Sequence, residues 1–404
     1  MKKRNLFISL VLCFTLVGCS SNNIENQTTI STTEITTQNI TESTTNETTQ
    51  EITEVTTEEE TTEEEIIESS VSMVVAGDNL YHMPIITKGF NGTSYNFDFV
   101  YKNVKDYISF YDLAVINQET VLVDDYNDIS SYPCFGTPSE AATALKEAGF
   151  DIFLGATNHT LDKGIKGINT TLDFYNENDI TYLGINKDVD EYNTVKIIEK
   201  NNIKIAMLNY TYGMNGLTLP SDNYYMVNLL DDKDKIISDL KYAEENADIT
   251  IVFPHWGTEY VYTETDYQKE YAELFTEYGA DIIVGSHPHV VEPVKYIESE
   301  NGNVALCYYS LGNFVSGQNE KPRLLGGLAS FTIHKTVENG NAIITVTDEK
   351  FEPTVTYYNS TEHCVYLLKD FTDDIAADST MQAYPDELWN LWKEINEVSE
   401  INID

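Results

Sequence analysis

Six residues of metal-ligating type, Asp78, Glu119, Asn158, His255, His287 and His289, each come shortly after a brief apolar run. The runs are residues 71–76, 113–116, 152–154, 249–253 and 282–284, and their length and β-branched content predict strands. In open α/β sheets the ligand crevice lies outside the carboxyl ends of the strands, so the five segments are expected to deliver nitrogen and oxygen donors to one edge. Each piece alone has a plainer reading. Gly77-Asp78 could be a turn, Asn117 with Glu119 an exposed loop, Asn158-His159 a helix cap, and His255 beside Trp256 a core imidazole bonded to a carbonyl. His287-Pro288-His289 could be a rigid turn, although two imidazoles held one residue apart suit a metal better. Taken jointly, five of the seven histidines near strand ends point to metal binding or catalysis.

The donor set is Asp, Glu, Asn and three His with no thiolate, which suits divalent ions such as Zn, Mn or Fe. Six donors exceed what one tetrahedral ion uses, so two adjacent ions bridged by a carboxylate or amide are expected. Such a pair lowers the pKa of a bridging water and clamps the attacking and leaving oxygens of a displacement at phosphorus. His159 is then free to protonate the leaving group, with Asp162 one helical turn on to hold its other nitrogen.

Positioning these residues requires strands alternating with helices. A further strand is expected at 203–208, and amphipathic helices near 97–110, 139–148, 165–177, 233–245 and 266–278, giving a sheet layered between helices. Thr137, Pro138 and Glu140 read as a capping box opening the helix near Ser139, and Gly149 as its C-terminal stop. After about Val290 the pattern turns β-rich (304–309, 328–334, 342–346), which suggests a second sheet or an antiparallel extension. Residues 385–398 read as a closing helix.

Six ordered stretches carry a resemblance. They are Gly77-Asp78, Asn117-x-Glu119, Asn158-His159-Thr160-Leu161-Asp162-Lys163-Gly164, His255-Trp256-Gly257-Thr258-Glu259-Tyr260, Gly285-Ser286-His287-Pro288-His289-Val290 and Tyr309-Ser310-Leu311-Gly312-Asn313-Phe314. Over about residues 71–318 the chain resembles the CapA family of poly-γ-glutamate capsule synthesis proteins, related to the calcineurin-like metallophosphatases. The resemblance implies an α/β fold, a metallophosphatase-like four-layer α/β/β/α sandwich, and a role in assembling or anchoring an anionic capsule polymer outside the cytoplasm. It also implies two divalent metal ions held by Asp78, Glu119, Asn158, His255, His287 and His289, with His159 as catalytic acid. The chain departs from the phosphatase pattern in two places. Leu80 stands where a His is usual, so His82 is a candidate substitute ligand or substrate contact, and Glu119 replaces the usual Asp. Trp256, Glu259, Ser310 and Asn313 are expected to shape the substrate pocket.

The rest of the sequence speaks to location. Lys2, Lys3 and Arg4 precede an apolar run from Leu6 to Val17, too short to span a bilayer, that ends in Leu16-Val17-Gly18-Cys19. This resembles a lipoprotein leader (residues 1–18), after which Cys19 would carry a lipid that anchors the chain without spanning the membrane. The rest of residues 19–70 is a Thr/Glu-rich stretch with 13 Glu and no Lys, Arg or Asp. It cannot bury enough apolar surface to fold and is expected to be a disordered tether of about 40 Å reach. Residues 71–404, the expected catalytic domain, hold 21 Lys plus Arg against 53 Asp plus Glu, a net −32, and the whole chain is −42. That balance excludes a nucleic-acid binder. With Cys13 in the leader and Cys19 lipidated, the odd set Cys134, Cys307 and Cys364 rules out a disulfide framework.

Three functions fit these residues. The first is a membrane-tethered, metal-dependent phosphoesterase-like hydrolase in capsule biogenesis. The second is a noncatalytic component that binds the polymer or other capsule-synthesis proteins. A solute-binding lipoprotein is the third.

Overall fold

The computed structural model describes residues 7–8 and 66–401. Cys19, nearly all of the leader and most of the Thr/Glu-rich stretch lie outside them. The principal strands are β1 (Ile67–Asn79), β2 (Leu113–Gln118), β3 (Ile152–Leu154), β4 (Thr181–Leu183), β5 (Lys196–Lys200), β6 (Ile203–Thr211) and β7 (Ile249–His255). They continue with β8 (Ile282–Val284), β9 (Val294–Glu298), β10 (Val304–Tyr308), β11 (Asn313–Val315), β12 (Leu325–Glu338), β13 (Asn341–Tyr358) and β14 (His363–Leu367). One sheet runs β13-β12-β1-β2-β3-β4, with β14 beside β13 and β11 alongside the end of β1. The other runs β9-β10-β8-β7-β6-β5. Strands β1 to β4 are parallel to one another, as are β6, β7, β8 and β10.

Period-two alternation explains how the layers stack. In β1, Val71, Met73 and Val75 join a core that also holds Ile205 and Met207 of β6, Ile251 and Phe253 of β7 and Ile282 of β8. Val74 and Ala76, on the opposite face, pack with Ala141 and Leu145 of the helix Glu140–Glu147 and with Ile168 and Leu172 of the helix Gly164–Glu177. Val252 of β7 likewise faces Ile236 and Leu240 of Lys233–Asn246 and Phe275 of Asp266–Glu277. Both faces of each sheet are therefore covered, which is why the strands read as continuous apolar runs. The result is the four-layer α/β/β/α sandwich that the resemblance implies. The closing helix, Pro385–Asn396, inserts Leu388 and Trp392 into the inter-sheet core, where the Trp392 ring meets Phe351 at 4.6 Å.

Several expectations need correction. The first strand starts at Ile67 rather than 71, because β12 continues to Glu338 and pairs antiparallel with residues 67–70. The sheet therefore begins four residues earlier than the composition suggests. The capping box at Thr137 does not form. Thr137–Pro138 is a short strand paired with Leu122–Val123, and Thr137 Oγ1 bonds Thr120 Oγ1 at 2.7 Å. A capping box does form at Thr265 with Gln268, opening Asp266–Glu277. Gly149 does take φ +103° after its helix, with Phe150 N donating to Leu145 O as a Schellman turn requires. The expected 97–110 helix is two short ones, Asp98–Tyr101 and Lys105–Ile108. The late β segments do both things suggested: β9 and β10 join the second sheet, while β12 to β14 extend the first. The three cysteines are free, and no helix among the described residues is long and apolar enough to cross a membrane.

Glu292, just past the His-Pro-His segment, is fully buried. Gln268 Nε2 donates to its Oε2 at 2.5 Å, while Oε1 has no partner. Burial pushes this carboxyl up to about 8. The folded state thus keeps a proton that the unfolded chain releases from about pH 4.5, so stability falls as pH rises through that window and the loss is complete above about 8. Glu292→Gln should flatten this slope. Urea titrations are expected to show the variant close to wild type at pH 5 and more stable by a few kcal/mol at pH 9. Parallel pH profiles of the two proteins would contradict the assignment.

Candidate metal centre

The carboxyl ends of β1, β2, β7 and β8, and the turn after β3, meet at one end of the sandwich. The donors thus come from two facing sheets rather than from one sheet edge. Asp78 lies at the end of β1, where an irregularity in its pairing with β2 re-aims the chain. Asn117 sits on the neighbouring strand and Glu119 just beyond it; His255 ends β7, and His287 and His289 follow β8. Gly77 and Gly285 permit the approach. A Cβ on Gly77 would lie 2.1 Å from Gly312 O, and one on Gly285 would lie 2.0 Å from Tyr309 O, so no larger residue fits either place. His287 and His289 hold φ of +98° and +59° on either side of Pro288. Such backbone costs about 1–3 kcal/mol per residue and persists where surrounding contacts impose it.

Those contacts are specific. Asp78 Oδ1 accepts from Asn117 Nδ2 at 2.8 Å and from the His287 backbone N–H at 3.2 Å. Asp78 Oδ2 is 2.9 Å from His289 Nδ1, and Glu119 Oε1 is 3.7 Å from His289 Nε2. His255 Nε2 lies 3.0 Å from Asn158 Oδ1 and 3.9 Å from Glu119 Oε1, with Ser286 Oγ 2.9 Å from its Nδ1. Two triads result, Asp78-Glu119-His289 and Glu119-His255-His287, each with ligand atoms within 4.8 Å of one another. Glu119 belongs to both.

All six candidates are buried. Both Glu119 carboxylate oxygens, His287 Nδ1 and Asn117 Oδ1 are buried without any hydrogen-bond partner. Leaving four such atoms dry in one place is costly unless a cation completes the site, so these residues fit divalent metal. The electrostatics agree. Burial holds the Glu119 carboxyl well above its usual range, with the Asp78 charge adding to the effect. Burial and the neighbouring imidazoles hold His255 and His287 far below theirs, so both present neutral nitrogens. Burial also pulls on His289, but the Glu119 and Asp78 carboxylates outweigh it and hold the ring up at about 9.

His159 stands beside this cluster. Its Nδ1 lies 2.7 Å from Asp162 Oδ2, which also accepts from Phe135 N at 2.6 Å, and its ring meets Phe135 edge-on at 4.7 Å. With Nδ1 engaged, Nε2 is the nitrogen left for chemistry. Asn158 Nδ2 donates to Asn215 Oδ1 at 3.1 Å, so a loop after β6 supports the pair. Asn117, Ser286, Asn215 and Tyr212, whose ring lies 4.6 Å from His287, are site residues that sequence reading left unassigned. The carboxyl-end rule that found the others applies equally to β6 and would have pointed to Tyr212 and Asn215.

The expected pocket residues divide. Glu259 is exposed, close enough to Glu119 and His289 to act on their charge. Trp256 is corrected to a core residue: it is fully buried against Phe275 and Tyr309, and its Nε1 donates to Tyr309 O at 2.9 Å. Ser310 is likewise buried, donating to Val290 O at 2.8 Å. Asn313 Nδ2 donates to His289 O at 3.2 Å and so positions a ligand loop from behind. His82 joins neither triad. Its Nδ1 accepts from Gly317 N at 3.0 Å, and burial holds it down at about 4. Leu80, in the place of the phosphatase His, is a buried apolar residue.

The family described as "Bacterial capsule synthesis protein PGA_cap" matches residues 72–318. The capsule biosynthesis protein CapA of Bacillus anthracis is 28% identical over 261 residues, 62% of this chain and 61% of that protein. The PGA biosynthesis protein CapA of Bacillus subtilis (strain 168) is 34% identical over 183 residues, 45% of this chain and 47% of that protein. The matched region thus spans only about half to three-fifths of these relatives' length. Among solved structures, the NAD nucleotidase (NadN) of Haemophilus influenzae aligns at a TM-score of 0.44 and 12% identity, over 81% of this chain and 60% of its own. A putative 5'-nucleotidase of Staphylococcus aureus aligns at 0.42 and 14%, over 74% and 54%.

Proposed function

The chain belongs to the bacterial capsule synthesis family PGA_cap, and on that premise we propose that it is a metal-dependent hydrolase of the phosphoesterase type acting in capsule assembly. Its polymer is poly-γ-glutamate or a related anionic chain, and it works outside the cytoplasm, held to the membrane by a lipid on Cys19. The observation that carries the catalytic reading is Glu119, a buried carboxylate with both oxygens unpartnered and shared by two donor triads.

Asp78, Glu119 and His289 would hold one divalent ion, and Glu119, His255 and His287, with Asn158, a second; Zn, Mn and Fe all suit these donors. Bound there, the ions supply Lewis acidity and water of lowered pKa. The chain's own groups do the rest. Asp162 fixes the His159 ring through Nδ1, so that Nε2 can give a proton to a leaving oxygen. Asn117 and the His287 N–H orient the Asp78 carboxylate, and Ser286 orients His255. Phe135 packs edge-on against the His159 ring and helps hold it in place.

The test is metal analysis and turnover of a model phosphodiester by the full chain before and after chelation. Turnover that a chelator abolishes and added Mn or Zn restores is expected; absence of bound metal would overturn the reading. A Cys19→Ser variant should move from the detergent to the aqueous phase on partitioning, and an unchanged partition would remove the anchor.

A second reading has Leu80 in its favour. An apolar side chain where phosphatases place a ligand fits a noncatalytic protein whose metal centre organises a binding surface for polymer or capsule-synthesis partners. Metal without turnover would select it.

A further inference from the structure

Beyond Arg4 the chain has a single arginine, Arg323, among 20 lysines. It lies in the 3-10 turn Lys321–Leu324, and its guanidinium carbon sits 3.5 Å above the centroid of the Tyr260 ring. The Tyr260 ring in turn is 6.0 Å from that of His289. The backbone fixes the same arrangement. Asn313 Nδ2 donates to His289 O and, at 3.0 Å, to Arg323 O, while Tyr260 N donates to Pro288 O at 2.8 Å. Tyr260 holds φ +67° to present its ring there. The guanidinium is thus one aromatic ring away from the donor cluster and tied to the loop that carries it.

Among the described residues its only ion pair is with Glu320, 3.0 Å away and 60% exposed, and the Arg323 side chain keeps 19% exposure. Ion pairs of that kind are made elsewhere in this chain by lysine, as in Lys321–Glu387 and Lys369–Glu352. What lysine lacks is a flat fork that stacks on a ring while offering two parallel N–H groups to one oxyanion.

We propose that Arg323, laid on Tyr260 beside the metal centre, is a specificity-determining residue that holds a carboxylate or phosphate of the substrate in a bidentate pair, displacing Glu320. The inference deepens the hydrolase reading and rests on it for the placing of the reacting bond at the donor cluster. In a domain of net −32 this contact offsets the repulsion that an anionic substrate meets.

Calorimetric titration of the full chain with a glutamate oligomer and with inorganic phosphate, each with Mn and again with chelator, provides the test. Arg323→Gln should weaken binding of one probe about 10–100-fold, and Arg323→Lys by less. Loss confined to the oligomer assigns a carboxylate, and loss confined to phosphate a phosphate. Glu320→Gln, an exposed change, should tighten the same probe, and a glutamine oligomer should respond to none of the variants. Affinities unchanged in both Arg323→Gln and Glu320→Gln, or a wild type that binds neither probe, would overturn the proposal. Because the Arg323 contrast is read in chelated protein as well, a wild type without metal would sink the hydrolase reading separately.

Discussion

Glu119→Gln is expected to weaken divalent-metal binding by at least about 100-fold and to abolish phosphodiester turnover. Changes to residues that merely orient ligands already cost about 10–100-fold in affinity. Glu119 is shared by both triads, so its loss removes a ligand from each ion together with the negative charge that offsets theirs. The same variant should make the metal-free protein more stable. In the absence of metal, burial holds the Glu119 carboxyl well above its usual range, so folding obliges it to keep a proton that the unfolded chain releases, and a neutral amide of the same shape avoids that cost. Thermal melts with and without Mn would therefore cross. Wild type should start lower and rise with metal, whereas the variant should start higher and stay flat. Metal-dependent stabilisation of the variant equal to that of wild type would show that the ions sit elsewhere.

His159→Ala should lower kcat on a phosphodiester by about 10²–10⁴-fold while leaving metal content intact. His159 belongs to neither triad, and its one strong partner is Asp162. The loss should shrink with substrates whose leaving group needs no proton, such as p-nitrophenolate, and that dependence separates an acid from a structural imidazole. Asp162→Asn should also reduce kcat, but with some loss of stability, because the carboxylate additionally accepts from the Phe135 N–H. Wild-type turnover by His159→Ala would show that His159 is not the acid.

Much of the site was legible because the rule that places ligands at the carboxyl ends of strands needs only strand positions, and apolar runs give those. Asp78, Glu119, Asn158, His255, His287 and His289 all come together as that rule requires. The rule is silent on which way a side chain points. Trp256 adjoins His255 in sequence yet packs into the core, because successive residues along an extended chain face opposite ways. Asn117 is two residues from Glu119 and reads like any loop amide, but it bridges Asp78 and approaches His255 at 3.4 Å. The Thr137 capping signal was locally well formed and lost to pairing with Leu122–Val123, an interaction across a chain separation that local pattern cannot weigh.

By itself the sequence determined the alternation of strands and helices, the family and the set of donor types, since apolar periodicity and residue chemistry are local properties. Only the tertiary structure decided that two facing sheets, rather than one edge, supply the donors. It also decided that Glu119 is shared between two triads, and that Arg323 lies over Tyr260 next to His289. Those outcomes depend on which residues distant in the chain are brought within a few ångströms, and that is set by how the inter-sheet core packs.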